Sequence, residues 1–244
     1  MNKGTCLLSY LPMRSEPRSG AEMVNCLLFG ESYQVLEVAD AWLNIKCDYD
    51  GYEGWISQSA QSEFVSFPQM VDALFVEAVS NGSKLYIPCG AMMPSDNKLN
   101  LDGQTFTVTQ KLKTNHHLPL SIRLLNTAKA FLNTPYLWGG RSFMGIDCSG
   151  LMQVVFKVNG ILLPRDTSKQ ILEGSAINFG EQQACDLVFF SKPGADKVVH
   201  VGMMLNEKHI IHAGARVRIN ELSSEGIFMD DALAYQLMTI KRII

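Results

Sequence analysis

The sequence predicts an α+β protein: one or two small all-β barrels, then a domain of helices followed by strands. Three observations predict it. Residues 1–117 read as short apolar runs broken by turns, the pattern of small barrels. Between residues 119 and 160 apolar side chains recur at spacings of three and four, the period of a helix with one buried face. After Pro164 the runs are strand-like again, and helices followed by strands make an α+β domain. The expected domains are 1–62, 63–117 and 118–244.

In the first domain, runs at 33–38, 42–46 and 54–56 alternate with turn signals at Phe29-Gly30-Glu31 and Asp48-Tyr49-Asp50-Gly51. In the second, runs at 73–79, 84–87 and 105–110 surround Asn81-Gly82 and Asp102-Gly103. Pro119 then opens a helix, where its missing N–H costs little. Its apolar stripe is Ile122, Leu125, Ala128 and Leu132, and Pro135 ends it. A loop leads to a second helix starting at Asp147-Cys148-Ser149, with a stripe of Leu151, Val154, Val155 and Val158. Asn159-Gly160 stops it. Strands are expected at 186–190, 198–205, 209–212, 216–219 and 237–243.

Composition excludes several classes. Hydrophobic residues are 47% and charged residues 18% of the 244, too apolar for a disordered chain. Lys+Arg 21 against Asp+Glu 24 gives a net charge of −3 with no basic block, so no nucleic-acid partner is expected. No apolar run reaches the ~18–20 residues that span a bilayer. Met1-Asn2-Lys3-Gly4-Thr5-Cys6 shows no leader, which predicts a cytoplasmic protein; a periplasmic or surface location is the alternative if a leader has been removed. The six cysteines are scattered, without Cys-x-x-Cys, and read as reduced thiols. Nothing in the sequence sets an oligomeric state.

Cys148 stands in the first turn of a helix behind Asp147, a good N-cap. Unpaired N–H groups and the positive dipole end there predict a lowered thiol pKa. The bland reading, a small buried hydrophobe, is kept for the other five cysteines. His200 shares a strand face with Gly202, which is expected to leave room for a ligand. His212 follows twelve residues later, and a hairpin would bring the two imidazoles together. Cys148, His200 and His212 thus form a nucleophile, a base and an orienting group, with a thiolate–imidazolium pair expected. His116, His117 and His209 read as ordinary packing or surface residues. Paired ligands at zinc spacing are absent, so neither metal nor organic cofactor is expected.

Several motifs occur in order: Pro135-Tyr136-Leu137-Trp138-Gly139-Gly140, Asp147-Cys148-Ser149-Gly150, Leu163-Pro164-Arg165-Asp166-Thr167-Ser168, Asp186-Leu187-Val188-Phe189-Phe190, His200-Val201-Gly202 and Ile211-His212-Ala213. Through them the back half resembles the NlpC-type cysteine peptidases of bacterial cell-wall metabolism, a papain-like fold. Phe29-Gly30, Trp42 and Gly51-Tyr52-Glu53-Gly54-Trp55-Ile56 make the front resemble bacterial SH3-like barrels, a layout similar to the YkfC-like branch. The resemblance implies a γ-D-glutamyl-L-diamino acid endopeptidase acting on murein peptides with a free N-terminal L-alanine, in peptidoglycan recycling. It makes Cys148 the nucleophile, His200 the base, His212 the orienting residue and Tyr136 an oxyanion-hole donor. It assigns substrate binding to Tyr52, Asp166, Ser149, Thr167, Asp147 and Glu22. Five of these also have a plain reading: Tyr136 as an aromatic under its loop, Asp166 as a helix cap, Ser149 and Thr167 as helix-start residues, Tyr52 as a turn aromatic. Cys185 stands where a glycine is expected, Cys26 where a glutamine is. The alternatives are a non-catalytic cell-wall peptide binding module and a cysteine amidase or acyltransferase on the same scaffold.

Overall fold

The computed structural model describes residues 3–110 and 117–244. The chain divides into two compact units. The front unit is Met1–Thr114 with Leu137–Gly145, the back unit Asn115–Tyr136 with Ile146–Ile244. His116 lies outside the described residues.

The front unit opens with six antiparallel strands, β1 (Lys3–Thr5), β2 (Tyr10–Arg14), β3 (Met23–Leu28), β4 (Ser32–Ala39), β5 (Trp42–Cys47) and β6 (Glu53–Ser57), in the order β1-β4-β5-β6-β2-β3. A second sheet holds β7 (Phe75–Ser80), β8 (Ser83–Pro88), β9 (Lys98–Leu101) and β10 (Gln104–Val108), in the order β9-β10-β7-β8. The separation expected at residue 62 does not divide two compact bodies, and β3 is the reason. Successive side chains on a strand point to opposite faces. Leu27 enters a core with Leu11, Met13, Tyr33, Leu43, Ile45 and Ile56. Cys26 and Leu28 enter another with Val71, Val76, Ile87 and Met93. One strand buried on both faces joins both sheets into one body.

The front unit also takes in the Leu137–Gly145 loop, which the sequence reading placed with the back domain. Its Arg141 is buried, donating to the Cys26 carbonyl at 2.9 Å and to the Glu31 carboxylate.

In the back unit α1 spans Leu120–Ala130. Its buried face is Leu124 and Ala128, continued by Phe131 just past its end, while Ile122 and Leu132 are exposed. The expected stripe is therefore displaced: spacing identifies a helix but several apolar faces fit one sequence. Every residue of α2 (Cys148–Lys157) is buried. The short α3 (Thr167–Gln170) follows. The sheet contains β11 (Ser175–Ile177), β12 (Leu187–Ser191), β13 (Val198–Met204), β14 (His209–Ala213), β15 (Val217–Glu221), β16 (Gly226–Met229) and β17 (Ala232–Arg242). Its order is β11-β17-β12-β13-β14-β15, with β16 paired to β17. β13 is buried from His200 to Met204, which accounts for its near-continuous apolar run. Among the described residues no helix is long and apolar enough to cross a membrane.

Candidate active site

The start of α2 is held by a buried polar network. Asp147 caps the helix, its Oδ1 accepting from the Gly150 N–H at 2.7 Å. Arg165 donates to both Asp147 carboxylate oxygens, at 2.9 and 2.5 Å, and to Ser149 Oγ at 2.8 Å. Such two-pronged pairing fixes geometry as well as charge. It holds the backbone on either side of Cys148. The Cys148 sulfur accepts from the Val201 and Ser149 backbone N–H groups and lies 3.9 Å from Thr167 Oγ1.

Val201 follows His200, so the strand that carries the imidazole passes the start of α2 at the Cys148 sulfur. His200 Nε2 is 2.8 Å from His212 Nδ1, and His212 Nε2 is 3.1 Å from Asn220 Oδ1. A carbonyl oxygen only accepts. His212 therefore donates from Nε2 to Asn220 and accepts at Nδ1 from His200. That leaves His200 Nδ1 as a free acceptor for a thiol proton. Gly202 is required for this arrangement. It pairs with His212 across β13 and β14, and an added Cβ would lie 2.9 Å from the His212 Cβ. The space expected to admit a ligand beside Gly202 is occupied by β14 itself.

The electrostatics correct one expectation. Burial, and then the neighbouring Asp147 carboxylate, push the Cys148 thiol up to about 11, against the N–H donors that pull it down. Burial, then His212, hold His200 well below its ordinary value. Burial also holds His212 at about 4. Both shifts favour the uncharged forms, a thiol and a neutral imidazole, against the ion pair expected from the helix terminus. Desolvation outweighs the dipole here because Cys148 is almost fully enclosed.

Tyr136 is fixed by its backbone. Its N–H donates to the Ala215 carbonyl at 3.0 Å, and it bridges Ile146, the residue before Asp147. The chain leaves for the Leu137–Gly145 loop and returns beside its departure point. Burial and then the proximity of Cys148 push the Tyr136 phenol upward, so it remains a hydrogen-bond donor at neutral pH. Asp166 occupies the N-cap position of α3, as its plain reading has it, but its carboxylate makes no capping bond. Ser149 and Asp147 already spend polar atoms within the buried network. Tyr52 and Glu22 belong to the front unit; Tyr52 packs on its first core and Glu22 is exposed. The sequence reading missed Arg165 as the partner of Asp147, Asn220 at the end of the imidazole chain, and Tyr235 against His200. Only the Leu-Pro-Arg-Asp motif pointed to any of these. Among the described residues no group of three or more His, Cys, Asp or Glu side chains is set to hold a metal ion.

Comparison with known proteins follows the same lines. The profile described as the NlpC/P60 family matches residues 133–234. That described as the bacterial dipeptidyl-peptidase Sh3 domain matches residues 13–60. A γ-D-glutamyl-L-lysine dipeptidyl-peptidase of Bacillus cereus is 26% identical over 231 residues, 80% of this chain and 68% of the relative. A probable endopeptidase NlpC homolog of Haemophilus influenzae is 36% identical over 134 residues, 53% of this chain and 70% of the relative. The crystal structure of an NlpC/P60 family protein from Bacillus cereus superposes with a TM-score of 0.78 at 20% identity, covering 99% of each chain. At that identity the superposition speaks for the fold.

Proposed function

The chain belongs to the NlpC/P60 family of peptidases, and from that premise we propose that it hydrolyses the γ-D-glutamyl–L-diamino acid bond of murein peptides, with Cys148 as nucleophile. The observation that carries this reading is the polar chain Asn220–His212–His200 on the strand whose next residue, Val201, donates its backbone N–H to the Cys148 sulfur. The relative named for γ-D-glutamyl-L-lysine cleavage supplies the bond type.

In this mechanism His200 Nδ1 takes the Cys148 proton as the sulfur attacks the γ-carbonyl carbon. A C–S bond forms and the carbonyl π-bond breaks, placing negative charge on oxygen. The Tyr136 hydroxyl and the Cys148 backbone N–H, at the first position of α2, are donors for that oxygen, each worth ~3 kcal/mol in such sites. The C–N bond then breaks, and the departing amine of the diamino acid takes the proton from His200. Water, deprotonated by the same imidazole, hydrolyses the thioester and restores the thiol. No step calls for a metal or an organic cofactor. Asp166, uncapped at the start of α3, is the partner of the substrate's free α-ammonium group, which requires an acidic neighbour once desolvated. Recognition of a free amine favours soluble peptide fragments, which supports the reading of peptidoglycan recycling in the cytoplasm.

The test is product analysis on L-Ala-γ-D-Glu-diamino acid peptides. Release of L-Ala-γ-D-Glu by the wild type, and none by Cys148→Ala, is expected. N-acetylation of the substrate should lower kcat/KM about 10-fold or more, the loss of one charge-assisted bond. Equal rates on both peptides would reject amine recognition. A folded wild type that leaves the peptide intact, with an inert Cys148 thiol toward iodoacetamide, would favour a peptide-binding module.

A further inference from the structure

His200 lies in an aromatic setting that its catalytic assignment leaves unexplained. The Tyr235 ring from β17 is stacked on the imidazole, with centroids 4.1 Å apart and planes 13° from parallel. Phe190 from β12 approaches at 6.0 Å, tilted by 42°. Tyr235 also meets His212 edge-on, at 6.1 Å and 80°. β17 reaches this place because β12 lies between it and β13, pairing Phe190 with His200 on one side and with Leu237 on the other. Tyr235 stands outside every motif read from the sequence.

A buried imidazole resists protonation, yet the mechanism needs His200 to become a cation at the moment of attack. An aromatic face carries negative charge density, and a cation lying flat over it is stabilised. Parallel stacking is also the geometry that fixes the ring plane, and so the direction of Nδ1. We propose that Tyr235 is a positioning residue for the peptidase reaction: its ring face orients His200 and stabilises the imidazolium formed when Cys148 gives up its proton.

This rests on His200 being the base. The titratable side chains shown against His200 are His212 from β14 and Tyr235 from β17; Cys148 acts on Tyr235 in turn, and Tyr235 on Tyr136. Beyond them Arg218 acts on His212. The Tyr235 phenol is itself pushed above its ordinary value, by burial and then by Cys148. It therefore stays neutral at working pH, as a stacking partner should.

The experiment is kcat/KM against pH for the full chain carrying Tyr235→Phe, Tyr235→Leu and trifluorophenylalanine at position 235. The last has the ring's shape but an electron-poor face. Tyr235→Phe is expected to stay within about 3-fold of wild type, because the ring does the work. Tyr235→Leu and the fluorinated ring should each lose roughly 10-fold. Their acid limb should move to lower pH by about one unit, that same factor of ten. A merely structural role would lower the rate without moving the limb. If Tyr235→Leu does not fold, the fluorinated ring decides alone. An unmoved limb with an unchanged rate in the fluorinated variant would overturn the proposal, as would a Tyr235→Phe variant as impaired as the fluorinated one. His200→Ala separates the two readings. If it keeps wild-type kcat/KM, the assignment of His200 as base fails; if it is inactive while the fluorinated variant matches wild type, only the role of Tyr235 fails.

Discussion

Gly202 stands opposite His212 in the pairing of β13 with β14, so close that a methyl group on it would meet the histidine's own Cβ at 2.9 Å and Ile210 Cδ1 at 2.7 Å. The isoleucine end can swing away; the histidine Cβ moves only if β14 moves. Gly202→Ala should therefore separate the imidazoles while keeping the fold. A displacement near 1 Å is enough to cost about 100-fold in rate, with a stability loss of ~1–3 kcal/mol from overpacking. Urea titration and kcat/KM together check this; wild-type activity in Gly202→Ala would show that the contact is relieved elsewhere.

Removing Arg165 should be far more damaging than removing its partner's charge with it. Both side chains are buried, at 2% and 7% exposure. Arg165→Met leaves the Asp147 carboxylate enclosed without its cation, a loss of ~3–5 kcal/mol. The Arg165→Met, Asp147→Asn double variant keeps a capping oxygen and has no charge to compensate. It should be more stable than Arg165→Met alone, as read from urea midpoints. A double variant as unstable as the sum of its parts would argue against a coupled pair.

Acid should weaken the protein through its imidazoles. The unfolded chain protonates His212 near 6.5, whereas the folded state resists until about 4, chiefly through burial. Between those values the unfolded state binds more protons, so stability is complete above 6.5 and is lost as pH falls toward 4. For His212 the loss amounts to ~3 kcal/mol, and His200 is shifted in the same direction. Urea midpoints at pH 7.5 and 4.5 should differ more in wild type than in His212→Gln; equal differences would place the acid sensitivity elsewhere.

Cys185, standing where a glycine is expected, adopts a glycine's conformation with φ of +76°. Its side chain is nonetheless buried, with the sulfur 3.5 Å from the Ser121 carbonyl. Cys185→Ala loses the sulfur and keeps the strain; Cys185→Gly loses the sulfur and relieves it. Glycine should therefore be the more stable replacement by about 1 kcal/mol, reversing the usual order. Thermal unfolding of both variants would test it, and a more stable alanine variant would contradict the backbone argument.

Much of the back unit was legible because its signals are local. Asp147 before Cys148 reads as a cap because capping acts within three residues, and period-two runs read as strands because the pleat is local. The displaced face of α1 was not legible, since Ile122 and Leu124 are equally apolar and only the neighbours decide which is buried. Arg165, Asn220 and Tyr235 could not be assigned either. Their partners lie 18, 8 and 35 residues away in sequence, and nothing local marks an arginine that will meet a cap or a tyrosine that will meet an imidazole.

What the sequence by itself determined is the chemistry on offer: a thiol behind a helix cap, and two histidines spaced to face each other across a hairpin. What only the tertiary structure decided is the state of those groups. The helix terminus alone would favour a thiolate. Enclosure beneath β13 beside a carboxylate reverses that preference, because the cost of removing charge from water depends on everything that surrounds it, and no short stretch of chain carries that information.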